Sequence, residues 1–226
     1  MKKPAATILA LSVALSLAAC GGGANAPALT AEVGDVIQFG GYDWRVLEKR
    51  DGKALIVTEE ITESRAYHGE WGDITWETCD LRAELNGGFY NSFGKKDRAR
   101  IAKTVIVNED NQWNGALGGE DTDDYVFLLS LEEVVRYFGD SGQLQEQPEN
   151  DGSYGWWDEE YAVWIDDQYN DDRKAYYEGS ASWWWLRSPG RYGHNAARVS
   201  TNGYIDVYGD SFLSPLGVRP ALWLNL

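Results

Sequence analysis

Two stretches near the end of the chain, WWWLRSPG at residues 183–190 and GVRPALWL at residues 217–224, decide the expected fold. Aromatic and aliphatic side chains at this density favour buried strands. The Pro and Gly residues beside them are typical of turns and strand ends. The sequence therefore predicts two packed strands that frame the segment between them.

The framed segment, residues 191–217, has a different composition from the rest of the chain. It contains no Lys, Glu, Gln, Met or Trp, although these five types make up about one in five residues of the whole sequence. It is composed largely of Arg, Tyr, His, Asn, Asp, Ser and Gly, types that dominate adaptable binding surfaces. Because strands and turns also disfavour Lys and Glu, a purely structural explanation stays open.

Alternation within this segment separates an expected scaffold from an expected surface. Residues 203–209 alternate with period two, so one face should be buried and the other should carry Tyr204, Asp206 and Tyr208. Phe212 and Leu213 fit either core or surface. The candidate ligand-binding residues are Arg191, Tyr192, His194, Asn195, Arg198, Ser200, Tyr204, Asp206, Tyr208, Asp210 and Ser211.

The beginning of the chain has the pattern of an export signal. Lys2 and Lys3 precede an apolar stretch at residues 8–17 that is too short to span a bilayer. The tetrapeptide LAAC at residues 17–20 resembles the bacterial lipobox, which implies cleavage before Cys20 and attachment of lipid to it. An ordinary secretory signal with a chance cysteine is the alternative.

These features divide the chain into three parts. Residues 1–19 are expected to be a signal peptide, and residues 20–34 to be a lipidated cysteine and a flexible spacer rich in Gly, Ala and Pro. Residues 35–226 are expected to form one domain, with a variable ligand-binding segment at about 187–219. Several acyl chains would hold the exported protein stably on the bacterial cell envelope, exposed at the surface.

Charge and cysteine content exclude several classes of protein. The net charge of −16 argues against binding to nucleic acid or resting on anionic lipid, because both need a basic surface. Beyond Cys20 the only cysteine is Cys79, so no disulfide framework within the chain is expected. The 11 Trp and 13 Tyr residues can supply a large core instead.

The remaining patterns indicate an α+β fold, with an antiparallel sheet, a few short helices and long irregular loops. Residues 36–48 and 53–58 predict an antiparallel meander with turns at Gly40-Gly41 and Asp51-Gly52. A capping box at Ser130 to Glu133 predicts a helix that ends near Phe138. Further predictions are a helix at 76–85 that stops at Asn86-Gly87-Gly88, a helix at 95–101, strands at 104–107 and 125–129, and loops at 108–124 and 141–155.

Several of these motifs resemble one protein family. FGGYDWRVL at residues 39–47, TDDYVFLLS at residues 122–130 and the two framing stretches resemble the DUF6273 family. The end segment also resembles the C-type lectin fold shared by formylglycine-generating enzymes and by variable proteins of diversity-generating retroelements. This resemblance implies a single C-type-lectin-like domain with a changeable surface.

In those variable proteins, adenine-directed mutagenesis of AAC or AAT codons rewrites surface residues while the backbone stays fixed. Randomising the adenines of such codons cannot produce Lys, Glu, Gln, Met or Trp. These are the types missing from residues 191–217. The resemblance therefore implies that this segment is diversified.

Catalytic and metal-binding interpretations are weaker. Formylglycine-generating chemistry uses paired cysteines in that family, whereas Cys79 is alone and is expected to be buried. GDSG at residues 139–142 echoes a serine-protease loop, but neither His68 nor His194 lies in a partner motif. No cofactor is expected. Acidic clusters at 109–124 and 166–172 offer oxygen ligands for Ca²⁺ but lack EF-hand spacing, so they are interpreted as solvated loops, with a weak Ca²⁺ site as the alternative.

The sequence thus predicts a surface lipoprotein that binds an unknown extracellular protein or glycan through its C-terminal segment, without catalysis. Arg187 and Arg219 are expected to be structural, with guanidinium groups that tie strand and loop carbonyls or stack on Trp rings. A fold-related enzyme or cell-wall-acting hydrolase and a structural envelope protein are the alternatives.

Overall fold

The computed structural model describes residues 30–146 and 164–226. The predicted signal peptide, Cys20 and the spacer up to residue 29 lie outside the described residues. So do residues 147–155 of the second predicted loop.

The strands are mostly short. In chain order they are β1 (Val36–Phe39), β2 (Tyr42–Arg50), β3 (Lys53–Thr58), β4 (Glu63–Arg65), β5 (Ile101–Ala102), β6 (Thr104–Ile106), β7 (Thr122–Asp124), β8 (Trp164–Ile165), β9 (Tyr176–Tyr177), β10 (Ser180–Ala181), β11 (Trp184–Pro189), β12 (Asn195–Val199), β13 (Ile205–Ser211), β14 (Leu216–Val218) and β15 (Ala221–Asn225).

The helices are also short, and one region combines several helix types. The helical elements are a 3₁₀ turn (Trp76–Thr78), α1 (Asp80–Glu84), a π turn (Leu85–Phe89), α2 (Tyr90–Ser92), α3 (Lys95–Arg98), α4 (Leu131–Phe138) and α5 (Asn170–Arg173). The protein is therefore a mixed α+β structure with several sheets, in agreement with the predicted fold class.

The first sheet joins the beginning and the end of the described chain. Its order is β1-β2-β3-β15-β5, and every neighbouring pair is antiparallel. The predicted meander is confirmed as β1, β2 and β3. Its last hairpin turns at Asp51, where a positive φ is adopted, followed by Gly52.

The second sheet contains most of the segment between the framing stretches. Its order is β4-β14-β11-β12-β13-β8, and β11 and β14 are its parallel pair. Strand β12 pairs antiparallel with β11 on one side and with β13 on the other, and both pairings contain a register shift. Two small sheets, β6-β7 and β10-β9, complete the described architecture.

One hydrophobic core connects both large sheets and the helices. Its largest fully buried apolar side chains include Trp44, Trp76, Trp184 and Trp185. Each enclosed ring of this size removes about 150–250 Å² from water. Tryptophan burial is thus a major stabilising contribution in a chain with no described disulfide.

The two framing arginines are structural, as expected. Arg187 Nη1 donates to Leu128 O at 2.8 Å and also pairs with Glu133, while Nη2 donates to Val107 O at 3.2 Å. Arg219 Nε donates to Thr58 O at 2.8 Å. Arg187 therefore fastens β11 to two neighbouring segments, and Arg219 fastens the link between β14 and β15 to the end of β3.

Two local predictions differ from the structure. The predicted strand at 125–129 is wrong, because this buried stretch makes only an isolated bridge from Phe127 to Ala221. The helix predicted to stop at Gly87-Gly88 instead passes through these glycines as a π turn and continues to Ser92. The Asn86 side chain supplies hydrogen bonds to the stretch at 125–129 that is not a strand: it accepts from Tyr125 N at 2.7 Å and donates to Val126 O at 2.9 Å.

The other helices and strands follow the sequence more closely. Helix α4 begins at the predicted capping box, in which Ser130 Oγ accepts from Glu133 N at 3.1 Å and Glu133 Oε2 accepts from Ser130 N at 3.0 Å. The helix and strand predicted at 95–101 and 104–107 are present in shortened form as α3 and β6.

Candidate functional site

The loop at residues 190–194 joins β11 to β12 and is held at its base by backbone hydrogen bonds. Gly190 N donates to Asn195 O, and Arg191 N donates to Tyr208 O, both at 2.8 Å. A Cβ atom at position 190 would lie 2.4 Å from Tyr208 O, so only glycine permits this close approach. The loop therefore leaves the sheet at a fixed angle.

A buried asparagine, Asn111, also holds the start of the loop at residues 190–194. Asn111 is 1% exposed, and its Nδ2 donates to Pro189 O at 2.9 Å and to Val207 O at 2.8 Å. Its Oδ1 accepts from Trp113 N at 3.0 Å. Because Asn111 satisfies carbonyl groups of both β11 and β13, it ties these two strands together where the loop begins.

A second loop, residues 69–73, lies directly beside the first. Ile74 N donates to Gly193 O at 2.8 Å. A Cβ atom at position 193 would lie 2.5 Å from Asp73 Oδ1, which shows how closely the two loops approach. This contact brings Trp71 next to the framed segment.

The two loops build an exposed aromatic stack. The rings of Trp71 and His194 have centroids 4.4 Å apart at 32°, and those of His194 and Tyr192 are 5.4 Å apart at 9°. Trp71 is 68% exposed and Tyr192 is 41% exposed, while His194 is half-buried between them. We call Trp71, His194 and Tyr192 the aromatic stack.

A cation extends the stack towards the sheet. The guanidinium carbon of Arg191 lies 5.4 Å from the ring centroid of Tyr192 and 5.0 Å from that of Tyr208. Arg191 is exposed, so these cation–π contacts are each worth only about 0.5–1 kcal/mol. Their main effect is to hold Arg191 beside the rings, where it can also donate hydrogen bonds to a ligand.

Four of the predicted residues therefore come together with one residue from elsewhere. Arg191, Tyr192, His194 and Tyr208 were predicted from the sequence, and Trp71 was missed. A Trp between two glycines, in the turn-forming stretch GEWGD at residues 69–73, is the signal that could have revealed it. Such a stretch has no periodic apolar face with which to bury a large ring.

Three other predicted residues form a separate cluster. Arg198 Nε donates to Asp206 Oδ2 at 2.9 Å, its Nη1 pairs with Asp210, and its guanidinium carbon lies 4.0 Å from the ring centroid of Trp183. The expectation that Asp206 is exposed is wrong, because its residue exposure is 3%. Burial raises the pKa of Asp206, and the neighbouring Arg198 charge opposes that effect.

The Asp206 carboxylate accepts a hydrogen bond from the backbone instead of facing the surface. Its Oδ1 accepts from Gly209 N at 2.9 Å, where the chain makes the register shift between β12 and β13. Gly209 has φ +68°, and a Cβ atom there would lie 2.0 Å from Ala196 O. We therefore assign Asp206 to the maintenance of this irregular strand pairing.

Ser200 is also buried, contrary to its expected place on the surface. Its hydroxyl oxygen accepts from Tyr204 N at 3.0 Å and from Asn202 N at 3.3 Å, which closes the turn between β12 and β13. Tyr204 is half-buried at this turn and its ring lies 6.4 Å from that of Trp164. These residues lie away from the loop at 190–194 in the strand register.

The last predicted residues occupy intermediate positions. Asn195 and Ser211 are half-buried and pair with each other across β12 and β13. Asp210 is also half-buried, and its Oδ1 accepts from Ser211 N at 2.7 Å. Phe212 belongs to the core at 1% exposure, whereas Leu213 is exposed.

The titratable side chains of the described residues do not form a metal-binding cluster. No group of three or more His, Cys, Asp or Glu side chains within residues 30–146 and 164–226 could hold a metal ion. Burial raises the pKa of the Cys79 thiol to about 12, so this thiol stays protonated and is a poor nucleophile. Its sulfur accepts from Arg82 N at 3.3 Å at the start of α1.

Several acids in the two predicted acidic clusters are engaged by the protein itself. Asp124 is buried and accepts from Trp76 Nε1 at 2.9 Å and from Arg82 Nε at 2.7 Å. In the other cluster, Asp167 forms an ion pair with the buried Arg173, with Oδ1 and Nη1 2.9 Å apart. These carboxylates stabilise the fold by pairing inside it.

The fold and the exposed stack define a mixed α+β protein that displays an aromatic surface on two adjacent loops. The chain belongs to the DUF6273 family, described as a domain of unknown function, and the match covers residues 51–226. No curated protein and no solved structure matches the chain. Within the described residues, no helix is long and apolar enough to cross a membrane.

Proposed function

We propose that this protein binds an extracellular ligand through the aromatic stack and Arg191, and that reversible binding without turnover is its activity. The adjacent rings of Trp71, His194 and Tyr192, of which Trp71 and Tyr192 are exposed, carry the proposal. Adjacent aromatic rings that are exposed to water form a contiguous apolar surface, and such surfaces often mark a site of contact with another molecule. Their backbone is held rigidly, which reduces the entropy lost on binding.

The size of the stack favours a glycan over a protein as the ligand. A stable protein interface buries about 800 Å² on each partner, and a few partly exposed rings supply only a fraction of that area. A sugar ring needs one or two aromatic faces and a few hydrogen-bonding groups. Tyr192, His194 and Arg191 offer both in one place.

Binding to a glycan microarray tests this proposal with the full chain and a Trp71→Ala variant. We expect the wild type to bind a subset of glycans, and the variant to lose about 2 kcal/mol, which is about thirtyfold in Kd. Val105→Ala is the matched control, because Val105 is an exposed apolar residue outside the stack. Equal binding by all three proteins, or binding by none, would contradict the proposal.

The finer fold assignment is part of the same proposal. We infer a C-type-lectin-like domain in which the framing stretches are the fixed part. Two observations support it: the first and last described strands share one sheet, and the intervening segment supplies strands of the second sheet and an exposed loop. An experimental structure with a different strand order would overturn this assignment.

We further propose that the exposed part of residues 191–217 is diversified. Its lack of Lys, Glu, Gln, Met and Trp supports this, together with the exposure of Arg191 and Tyr192. Diversification by a retroelement requires a near-identical template segment close to the gene. Sequencing that neighbourhood should reveal the template, and its absence would remove this part of the proposal.

The proposed location is the bacterial cell surface, with a lipid anchor on Cys20. The LAAC tetrapeptide at residues 17–20 and the apolar stretch before it support this location. A Cys20→Ser variant should appear in the culture medium or lose its membrane association, whereas Cys79→Ser should not. Mass spectrometry of the mature amino terminus checks for the lipid directly.

A further inference from the structure

Arg191 differs from the other exposed arginines of the described chain. Arg50, Arg65 and Arg136 are exposed, and each forms an ion pair with a glutamate. Arg191 is also exposed, but within the described part of the chain it forms no ion pair and its side chain donates no hydrogen bond. It lacks a carboxylate partner although the chain has 36 acidic and only 20 basic residues. Its guanidinium group is therefore available to a negatively charged ligand.

Aromatic rings hold the Arg191 side chain in place instead of an acid. Its guanidinium carbon lies 5.4 Å from the ring centroid of Tyr192 and 5.0 Å from that of Tyr208. Its backbone N donates to Tyr208 O at 2.8 Å, which fixes the point from which the side chain extends. Because these contacts already restrict the side chain, less entropy is lost when a ligand pairs with it.

The charge and the aromatic stack form one continuous surface. Tyr192 is the shared ring, since the Arg191 guanidinium carbon and the His194 ring each lie 5.4 Å from its centroid. The Trp71 ring follows at 4.4 Å from His194. A ligand group that pairs with Arg191 therefore lies beside Tyr192, and the rest of the ligand can extend over the stack.

The chemistry of a guanidinium group favours a carboxylate as its partner. Its N–H donors form a planar fork that matches both oxygens of a carboxylate. A sugar acid carries such a carboxylate on a ring that also has an apolar face, so a single unit can pair with Arg191 and contact Tyr192. A neutral sugar offers only hydroxyl groups, which leave the charge unpaired.

Acidic residues near the stack limit how many negative charges the ligand can carry. Glu70 and Asp73 are exposed in the loop that carries Trp71, and a Cβ atom at Gly193 would lie 2.5 Å from Asp73 Oδ1. Exposed charges are largely screened beyond about 8 Å at physiological salt, so these nearest acids matter most. They repel a densely charged polyanion, whereas one carboxylate placed on Arg191 is attracted locally.

We propose that the ligand is an acidic oligosaccharide, in which the carboxylate of one sugar acid pairs with Arg191 beside Tyr192 and neighbouring neutral sugars contact the aromatic stack. This inference rests on the proposed glycan binding and adds the class of sugar. The rings supply the contact area, and Arg191 selects acidic over neutral glycans.

A glycan array built from matched pairs tests the class of sugar. Each pair consists of an oligosaccharide with one carboxylate, such as sialyllactose or a disaccharide of glucuronic acid and glucose, and the same compound with its carboxyl group reduced to an alcohol. In the pairs that it recognises, the full chain should bind the acidic member at least about tenfold more tightly, as expected for hydrogen bonds to a charged group. Equal or tighter binding of the reduced members would overturn this inference and leave the proposed glycan binding intact. Binding of no member would contradict both.

Variants at position 191 test which residue selects the acid. In Arg191→Gln the preference for the acidic member should fall from at least tenfold to about one. Arg191→Lys keeps the charge but loses the planar fork, so a preference of about threefold should remain. Arg50→Gln is the matched control, because Arg50 is exposed and lies over the Trp223 ring in the first sheet, and it should keep the wild-type preference. An undiminished preference in Arg191→Gln would show that the acid binds elsewhere and overturn the inference.

Stacking and charge pairing should also separate in two further measurements. Trp71→Ala should weaken both members of a pair by the same factor and keep the preference. Raising the salt concentration from about 0.05 to about 0.5 M should lower the preference several-fold and change the binding of the reduced member little, because salt screens an exposed ion pair. A preference that does not depend on salt, or one that disappears in Trp71→Ala, would contradict the pairing of the carboxylate with Arg191.

Discussion

Arginine and tryptophan appear both in the frame of the C-terminal segment and on the surface beside it, with opposite roles. Trp184 and Arg187 are buried in β11, where the arginine donates to backbone carbonyls of two other segments. Trp71 and Arg191 are exposed, and their described ring and cation contacts are with neighbouring side chains. The comparison teaches that the surrounding backbone, rather than residue type, decides whether these side chains belong to the buried scaffold or to the exposed surface.

The largest expected difference is between the two tryptophans. Trp184→Ala should lower the free energy of unfolding by about 3–5 kcal/mol, because it opens a cavity in the core. Trp71→Ala should change it by no more than about 0.5 kcal/mol. Urea denaturation of both variants checks this, and similar losses would break the division between frame and surface.

The two arginines should differ in the same direction. Arg187→Ala should lower the free energy of unfolding by about 3 kcal/mol, because the buried Leu128 carbonyl loses this donor and the Glu133 carboxylate loses its positive partner. For Arg191→Ala we expect less than about 0.5 kcal/mol, since the side chain is exposed. A large loss in Arg191→Ala would mean that the loop is part of the scaffold.

A smaller, pH-dependent difference in stability is expected between the buried carboxylate of Asp167 and the exposed carboxylate of Glu70. Burial would raise the pKa of Asp167, but hydrogen bonds from Arg173, Ser141 and Tyr169 N outweigh it and hold the pKa below its ordinary value. The folded state therefore gains stability from ionised Asp167 above the ordinary pKa of an aspartate. This gain disappears as the pH falls through the lower pKa of the folded state.

Asp167→Asn should accordingly cost about 2 kcal/mol near neutral pH, and the difference from the wild type should shrink as the solution is acidified below about pH 4. Glu70→Gln, which changes an exposed acid in the loop beside the stack, should show almost no difference at either pH. Unfolding curves at several pH values check this. A constant difference for Asp167→Asn would contradict the assigned pKa shift.

Local signals in the sequence predicted the parts of the fold that depend on near neighbours. The meander was predictable because its turns and alternation lie within a few residues of each other. Helix α4 was predictable because Ser130 and Glu133 form its capping box. The buried stretch at 125–129 was mistaken for a strand, since burial from several sides produces the same continuous apolar run.

The candidate site was predictable only in part, because it depends on contacts between distant segments. Arg191, Tyr192 and His194 were found from composition, but Trp71 joins them through a contact between two loops. Asp206 was misplaced because alternation predicts which face a side chain takes and does not reveal what covers that face. Here Arg198, itself held against Trp183, covers the carboxylate.

Sequencing residues 187–219 in many isolates tests the central claim that this segment combines a fixed frame with a diversified binding surface. The account predicts substitutions concentrated at Arg191, Tyr192, His194 and Tyr208, with none at the buried Ser200 and Asp206. Lys, Glu, Gln, Met and Trp should stay absent from the changed positions. Substitutions spread evenly over buried and exposed positions, or an invariant loop, would contradict it.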